Sequence, residues 1–261
     1  MKIKANGIQI NYKLSGKEGA SVVVLSHSLG CSVAMWEPQL NSLESNYRVL
    51  RYDTRGHGGT DAPSGAYTFD MLGADAIGLL DALGIDMVHL VGLSMGGMIG
   101  QCLALNHANR LHSLTLCDTA AIIPEEAQPV WQERINVARD KGMQALVEST
   151  LERWFTQPYL RKNPPAVNLI RKQFLATSVA GYIGCSEAIR SLNYLERLAE
   201  VKKPALIIVG EDDHGTPVAA SKAMHQRIPG SRLVVLPSAA HLSNLEQPEA
   251  FNNALIQFLH A

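Results

Sequence analysis

HLVGLSMGGMIG, residues 89–100, begins as a short apolar strand and ends as a helix, with a serine between two glycines at the junction. Val88–Val91 is an apolar, partly β-branched run, and Met98–Leu105 carries apolar residues at helical spacing. Gly92 and Gly96 leave room for strand and helix to approach closely, and the tight turn between them lifts the Ser94 hydroxyl clear of the sheet. Strand, Gly-x-Ser-x-Gly and helix together form a nucleophile elbow. The helix N-terminus that follows Ser94 favours developing negative charge. A glycine-rich turn with an idle serine remains the competing reading until partners for Ser94 are found.

Outward from this stretch, Val22–Leu25, Val49–Tyr52, Leu114–Cys117, Leu206–Val209 and Leu233–Leu236 are further short apolar runs of the kind buried on both faces of a parallel sheet. Helical segments such as Ala74–Leu83 separate most of them, giving repeated strand–helix units and an α/β class. Ile3–Leu14 alternates and breaks at Asn6-Gly7, which predicts an N-terminal hairpin. From about Ile122 to Tyr194 the alternation stops. Amphipathic helical patterns at Val130–Val137 and Gln144–Phe155 are broken at Pro158 and Pro164-Pro165. The expected organisation is a core formed by residues 1–121 and 195–261, with residues 122–194 as a helical cap inserted between two strands. Such an insertion would lie over the carboxyl ends of the strands, where open α/β sheets bind ligands.

Composition narrows the function classes. The 261 residues suffice for one large domain, and 46% hydrophobic with 18% charged residues suits a globular chain. A formal net charge of −1 without a basic cluster argues against nucleic-acid or membrane-surface partners. Cys31, Cys102, Cys117 and Cys185 show neither a CxxC pair nor zinc-ligand spacing, so no metal is expected. Met1–Gly7 is too polar for a signal peptide, and no apolar run is long enough to span a bilayer. A cytoplasmic protein with reduced thiols and a small-molecule partner is expected; oligomeric state is not legible.

Ser94 needs a base, and the base needs an orienting acid. After an elbow the chain order is Ser, acid, His. IIVGEDDHGTP (207–217) places Asp213 just past one strand, and LPSAAHLSNLEQPEAF (236–251) places His241 just past another, both at the sheet edge that carries Ser94. Asp213 is the expected acid, with Asp118 and Asp212 in reserve. Two oxyanion donors are expected: the backbone N–H of Met95, and that of Leu29 in LSHSLG (25–30). His57, in DTRGHGGTD (53–61), reads as part of a hydrogen-bonded turn, Arg55 as a brace beneath the site, and His214 as a loop residue.

With Ser94, Asp213 and His241 in place, the chain resembles the α/β-hydrolase family over essentially its full length. SHSLGCSVAMWEPQ (26–39), RYDTRGHGGTDAPSGAY (51–67), GLSMGGMIGQ (92–101), ERWFTQPY (152–159), GYIGCSEAIR (181–190) and AAHLSNLEQPEAF (239–251) are similar to the 3-oxoadipate enol-lactonases of bacterial aromatic-ring degradation. His27 stands where such lactonases often have asparagine, and Asn193 where they often have an acidic residue. The resemblance implies hydrolysis of an enol-lactone with an acetate arm, through an acyl-enzyme and without metal or organic cofactor. A free carboxylate on that small anionic lactone calls for a cation, and arginine offers a fork matched to it. VWQERI (130–135) sets Trp131 and Arg134 on one helical face, predicting Arg134 as the carboxylate clamp and Trp131 as an apolar wall. Trp154 is a further candidate for substrate contact, with Trp36, Arg153 and Arg190 as alternatives. Two other readings keep the same triad: a broader carboxylesterase or haloperoxidase-like perhydrolase, and a receptor that binds a small lactone.

Overall fold

Asn6 and Gly7 both adopt positive φ (44° and 80°), the geometry of a tight hairpin turn, and join β1 (Lys2–Ala5) to β2 (Ile8–Gly16). The computed structural model describes all 261 residues, Met1–Ala261. Six further strands follow: β3 (Val22–Ser26), β4 (Arg48–Tyr52), β5 (Val88–Leu93), β6 (Leu111–Cys117), β7 (Ala205–Gly210) and β8 (Arg232–Leu236). They form one eight-stranded sheet in the order β1-β2-β4-β3-β5-β6-β7-β8. Only the β1–β2 and β2–β4 pairs are antiparallel; every pair from β4 to β8 is parallel. β7, Ala-Leu-Ile-Ile-Val-Gly, is buried along its whole length, which explains why it reads as a continuous apolar run rather than an alternating one.

Helices cover the sheet. α1 (Glu37–Leu43), α2 (Phe69–Ala82) and α3 (Met95–Asn106) connect the strands of the first half. Thr68 starts α2 by accepting the Met71 N–H on its side chain at 3.1 Å. Between β6 and β7 there is no strand. That stretch holds α4 (Gln128–Lys141), α5 (Val147–Trp154), α6 (Gln157–Lys162), α7 (Pro165–Ala176) and α8 (Val179–Arg190). Its prolines fall at helix starts, Pro158 in the first turn of α6 and Pro165 opening α7, where a missing N–H removes no intrahelical bond. A β-bridge between Ile122 and Asn193 ties the two ends of the stretch together, with Tyr194 N–H donating to the Ala121 carbonyl at 2.7 Å. One apolar core includes sheet residues together with Trp154, Val167, Phe174 and Tyr182, so these helices are packed on the sheet. α9 (Val218–Arg227), α10 (Ser243–Glu246) and α11 (Pro248–Leu259) complete the chain. No helix is long and apolar enough to cross a membrane.

The strand order reverses at β3. The chain runs from β3 to β4 on one side, then returns to place β5 on the other. The loops leaving β3 and β5 therefore diverge at their carboxyl ends and open a crevice between them. Leu29 lies on the first loop and Ser94 directly follows β5.

Candidate active site

Ser94 links β5 to α3 with φ 55° and ψ −115°, a backbone conformation that side chains other than glycine rarely take. Its N–H donates to the Cys117 carbonyl at 2.8 Å, and its carbonyl accepts from Thr119 Oγ1 at 2.7 Å, so both sides of the strained residue are held. A Cβ on Gly92 would run into the Gly96 carbonyl, and one on Gly96 into the Ser26 carbonyl. The glycines thus permit close contact of α3 with β5 and β3.

His241 follows β8 and is buried, with Nδ1 2.8 Å from Asp213 Oδ2. Asp213 follows β7; it also accepts Gly215 N–H at 2.8 Å, Thr216 N–H at 2.9 Å and the Thr216 hydroxyl at 2.7 Å. Burial alone would raise its pKa, but the charge and hydrogen bond of His241, with those of Thr216, outweigh burial and hold the carboxyl below its usual range. For His241 burial works downward, and the Asp213 charge and hydrogen bond overcome it, so the imidazole sits above its ordinary value. Trp154 lies stacked beside the imidazole with ring centroids 6.0 Å apart.

Ser94 and His241 line one cavity of about 440 Å³, together with Ser28 and Leu29 from the β3 loop. No hydrogen bond joins the Ser94 hydroxyl to His241 in this geometry. Leu29 N–H donates to no protein acceptor. Met95 is wholly buried behind Ser94 as the first residue of α3, where a helix leaves its N–H groups without intrahelical partners.

From the helices between β6 and β7, Trp131, Arg134, Arg153 and Trp154 reach the same cavity. Arg134 Cζ lies 4.8 Å from the Trp131 ring centroid, a cation–π contact. Arg153 is steadied by the Ser149 carbonyl at 2.8 Å and Thr150 Oγ1 at 3.0 Å. Neither arginine forms an ion pair with a carboxylate. Burial lowers the pKa of both, and the neighbouring Arg134 charge helps push Arg153 down to about 10. Two part-buried cations without a carboxylate partner on the wall of one cavity offer charge that an anion could neutralise.

A family model for the alpha/beta hydrolase fold matches residues 21–248. The chain belongs to the α/β-hydrolase family. Among its relatives, this hydrolase is 36% identical over 253 residues to 3-oxoadipate enol-lactonase 2 of Acinetobacter baylyi, a match covering 97% of this chain and 94% of that protein. It is 37% identical to 3-oxoadipate enol-lactonase 1 of the same organism, covering 94% of this chain and 91% of the other. The crystal structure of the enol-lactonase from Burkholderia xenovorans LB400 superposes with a TM-score of 0.97 at 40% identity, over 100% of both chains.

Other sequence candidates in this hydrolase sit elsewhere. Asp212 is exposed, while Asp118 is buried beneath the dyad, accepting Gly210 N–H at 2.8 Å and lying 2.5 Å from the Ser243 hydroxyl. Burial, and then repulsion by Asp213, hold the Asp118 carboxyl well above its usual range. Trp36 is packed against Phe251 in the core, away from the cavity. Arg190 is occupied by Gln128, Gln132 and Glu187. Arg55 forms a buried two-pronged pair with Asp75 at 2.7 and 2.6 Å, the brace its position suggested. His214 is exposed but borders the cavity.

Glu246 was missed by sequence reasoning. Its carboxylate accepts Ala240 N–H at 2.8 Å, Thr156 N–H at 3.1 Å and the Thr156 hydroxyl at 2.7 Å, joining the His241 loop to the start of α6. Ninety residues separate Thr156 from Glu246, so neither local motif could reveal the other.

Proposed function

We propose that this protein hydrolyses 3-oxoadipate enol-lactone to 3-oxoadipate with Ser94, His241 and Asp213 as its triad, residues 122–194 serving as the cap that binds substrate. The observation that carries the reading is the cavity itself: an elbow serine and a carboxylate-backed histidine share it with two arginines that have no carboxylate partner. Near full-length similarity to enol-lactonases supports the substrate.

In this mechanism the substrate carboxylate is held by Arg134 and Arg153, with Trp131 and Trp154 as walls. Ser94 Oγ attacks the lactone carbonyl carbon while His241 Nε2 takes the hydroxyl proton, and the resulting oxyanion is held by the N–H groups of Leu29 and Met95. Collapse breaks the ring C–O bond, and His241 returns the proton to the departing enol oxygen, which then tautomerises to the ketone. Water, deprotonated by His241, attacks the acyl-enzyme; the new carboxylate leaves and Ser94 regains its proton. Asp213 keeps the His241 proton on Nδ1 and stabilises the imidazolium between steps. No cofactor enters the scheme. Four buried cysteines without disulfides suit the reducing cytoplasm in which we place the enzyme.

The test is the steady-state rate on freshly generated enol-lactone beside p-nitrophenyl acetate, with Ser94→Ala as blank. Strong preference for the enol-lactone and a silent Ser94→Ala protein are expected. Arg134→Gln and Arg153→Gln should each lower kcat/KM on the anionic lactone by about 10- to 100-fold, the range for a lost charge-assisted hydrogen bond, and leave the neutral ester far less affected. Equal losses on both substrates would remove the arginines from the clamp, and preference for the aryl ester would make this a general esterase.

A further inference from the structure

Two histidines outside the triad lie beneath the oxyanion loop, and the mechanism above leaves both without a task. His27 and His57 are fully buried, with ring centroids 5.3 Å apart. Their hydrogen bonds fix their tautomers. Thr54 N–H can only donate, so His27 Nε2 accepts it at 2.9 Å and the His27 proton sits on Nδ1, which donates to the Ser28 carbonyl at 2.7 Å. Gly30 N–H likewise donates to His57 Nε2 at 2.9 Å, leaving His57 Nδ1–H to donate to the Arg55 carbonyl at 3.1 Å.

The contacted atoms belong to two consecutive peptide groups. The Ser28 carbonyl and the Leu29 N–H are opposite ends of one amide; the Gly30 N–H belongs to the next. We propose that His27 and His57 are positioning residues for the oxyanion hole, each fixing one of the two peptide planes that meet at Leu29 and so aiming the Leu29 N–H at the reacting centre.

Three physical points support this. A hydrogen bond accepted by a carbonyl polarises its own amide and strengthens the N–H at the other end; the Ser28 carbonyl accepts two, from His27 and from Cys31 N–H at 3.1 Å. An oxyanion donor acts only when its placement is fixed before charge develops, and Gly30, at φ 73°, has no side chain of its own with which to anchor its peptide. The far ends of both imidazoles bond to Thr54 and Arg55, in the turn that the buried Arg55–Asp75 pair anchors to α2. Both rings remain neutral: burial lowers both, and for His57, with His27 adding to the effect, to about 3. A second proton on either ring would remove the acceptor for Thr54 or Gly30 N–H.

The inference rests on the oxyanion role given to Leu29 but not on the identity of the lactone, so its test uses p-nitrophenyl acetate and phenylboronic acid, a tetrahedral transition-state mimic. His27→Leu and His57→Leu remove donor and acceptor; His27→Asn and His57→Gln restore both in an uncharged amide. With rates normalised to the folded fraction, the leucine variants should lose about tenfold or more in kcat, short of the roughly 10²- to 10³-fold for deleting a whole donor. KM should stay within about twofold, phenylboronate affinity should fall in step with kcat, and the amide variants should recover most of both. Leucine variants that melt lower yet keep kcat and phenylboronate affinity would overturn the proposal, as would folded amide variants as slow as the leucine ones. If the leucine variants do not fold, NMR of the unaltered protein decides: a downfield shift of the Leu29 amide proton on adding phenylboronic acid is expected, and inhibition without it overturns the idea. Loss of lactone turnover with these aryl-ester results intact would count against the substrate alone.

Discussion

In the proposed mechanism the Ser94 hydroxyl becomes nucleophilic only when the His241 imidazole is neutral, which makes turnover depend on the charge state of His241. Burial depresses its pKa, but Asp213 more than offsets that and sets it above the ordinary histidine value. Because the base form is the active one, kcat/KM should fall as pH drops through an inflection that lies above about 6.5, the unperturbed histidine pKa. The inflection belongs to the His241–Asp213 pair as a unit. Asp213→Asn removes the charge that holds the imidazolium, so the remaining activity should lose its inflection at a lower pH than the unaltered enzyme. An unmoved inflection in that variant would show that another group sets the profile, with Asp118 the first to examine.

At the scale of an element, the elbow works because a strand, one strained residue and a helix are locked together. Ser94 keeps its positive φ because Cys117 and Thr119 hold its two peptide groups from β6 and the loop after it. Gly96 lets the first turn of α3 press against the Ser26 carbonyl at the end of β3. Gly96→Ala should therefore lower unfolding free energy by about 1–3 kcal/mol, the usual range for overpacking a tight contact, measured by urea denaturation. It should also lower turnover in the folded protein, since α3 would be displaced with Ser94 at its start. A variant as stable and active as the original would mean that α3 can retreat without moving Ser94.

For the whole molecule, the site exists only where the helices between β6 and β7 meet the carboxyl edge of the sheet. Glu246 is a main tie between them, with Tyr159 OH donating to the Leu245 carbonyl at 3.0 Å and Leu242 N–H to the Trp154 carbonyl at 3.1 Å. In Glu246→Gln one carboxylate oxygen becomes an amide donor facing groups that also donate. The expected loss is about 1–3 kcal/mol for charged hydrogen bonds broken in a buried place, or several degrees in Tm, with a higher KM for the anionic lactone because Arg153 and Trp154 end α5, directly before the Thr156 segment that this tie holds. Calorimetry and steady-state kinetics check both; an unchanged Tm and KM would make the tie dispensable.

The sequence by itself determined the elements and their chemistry. The apolar strands, the Asn6-Gly7 turn, the Gly-x-Ser-x-Gly junction and the strand-end positions of Asp213 and His241 are local patterns, each set by sterics and hydrophobic periodicity within a few residues. The expected burial on both faces fails only for Leu233–Leu236, because β8 lies at the sheet edge and leaves Val235 exposed. Tertiary structure decided what depends on distance through space. It brought the Asp213 carboxylate to His241, took Trp36 into the core and Arg190 into a glutamine–glutamate cluster, and left Arg134 and Arg153 in the cavity without a carboxylate. It also joined Glu246 to Thr156, and His27 and His57 to the peptides around Leu29. A side chain's partner is fixed by the packing of distant segments, and a linear pattern carries no record of which of several arginines or histidines that packing will leave free.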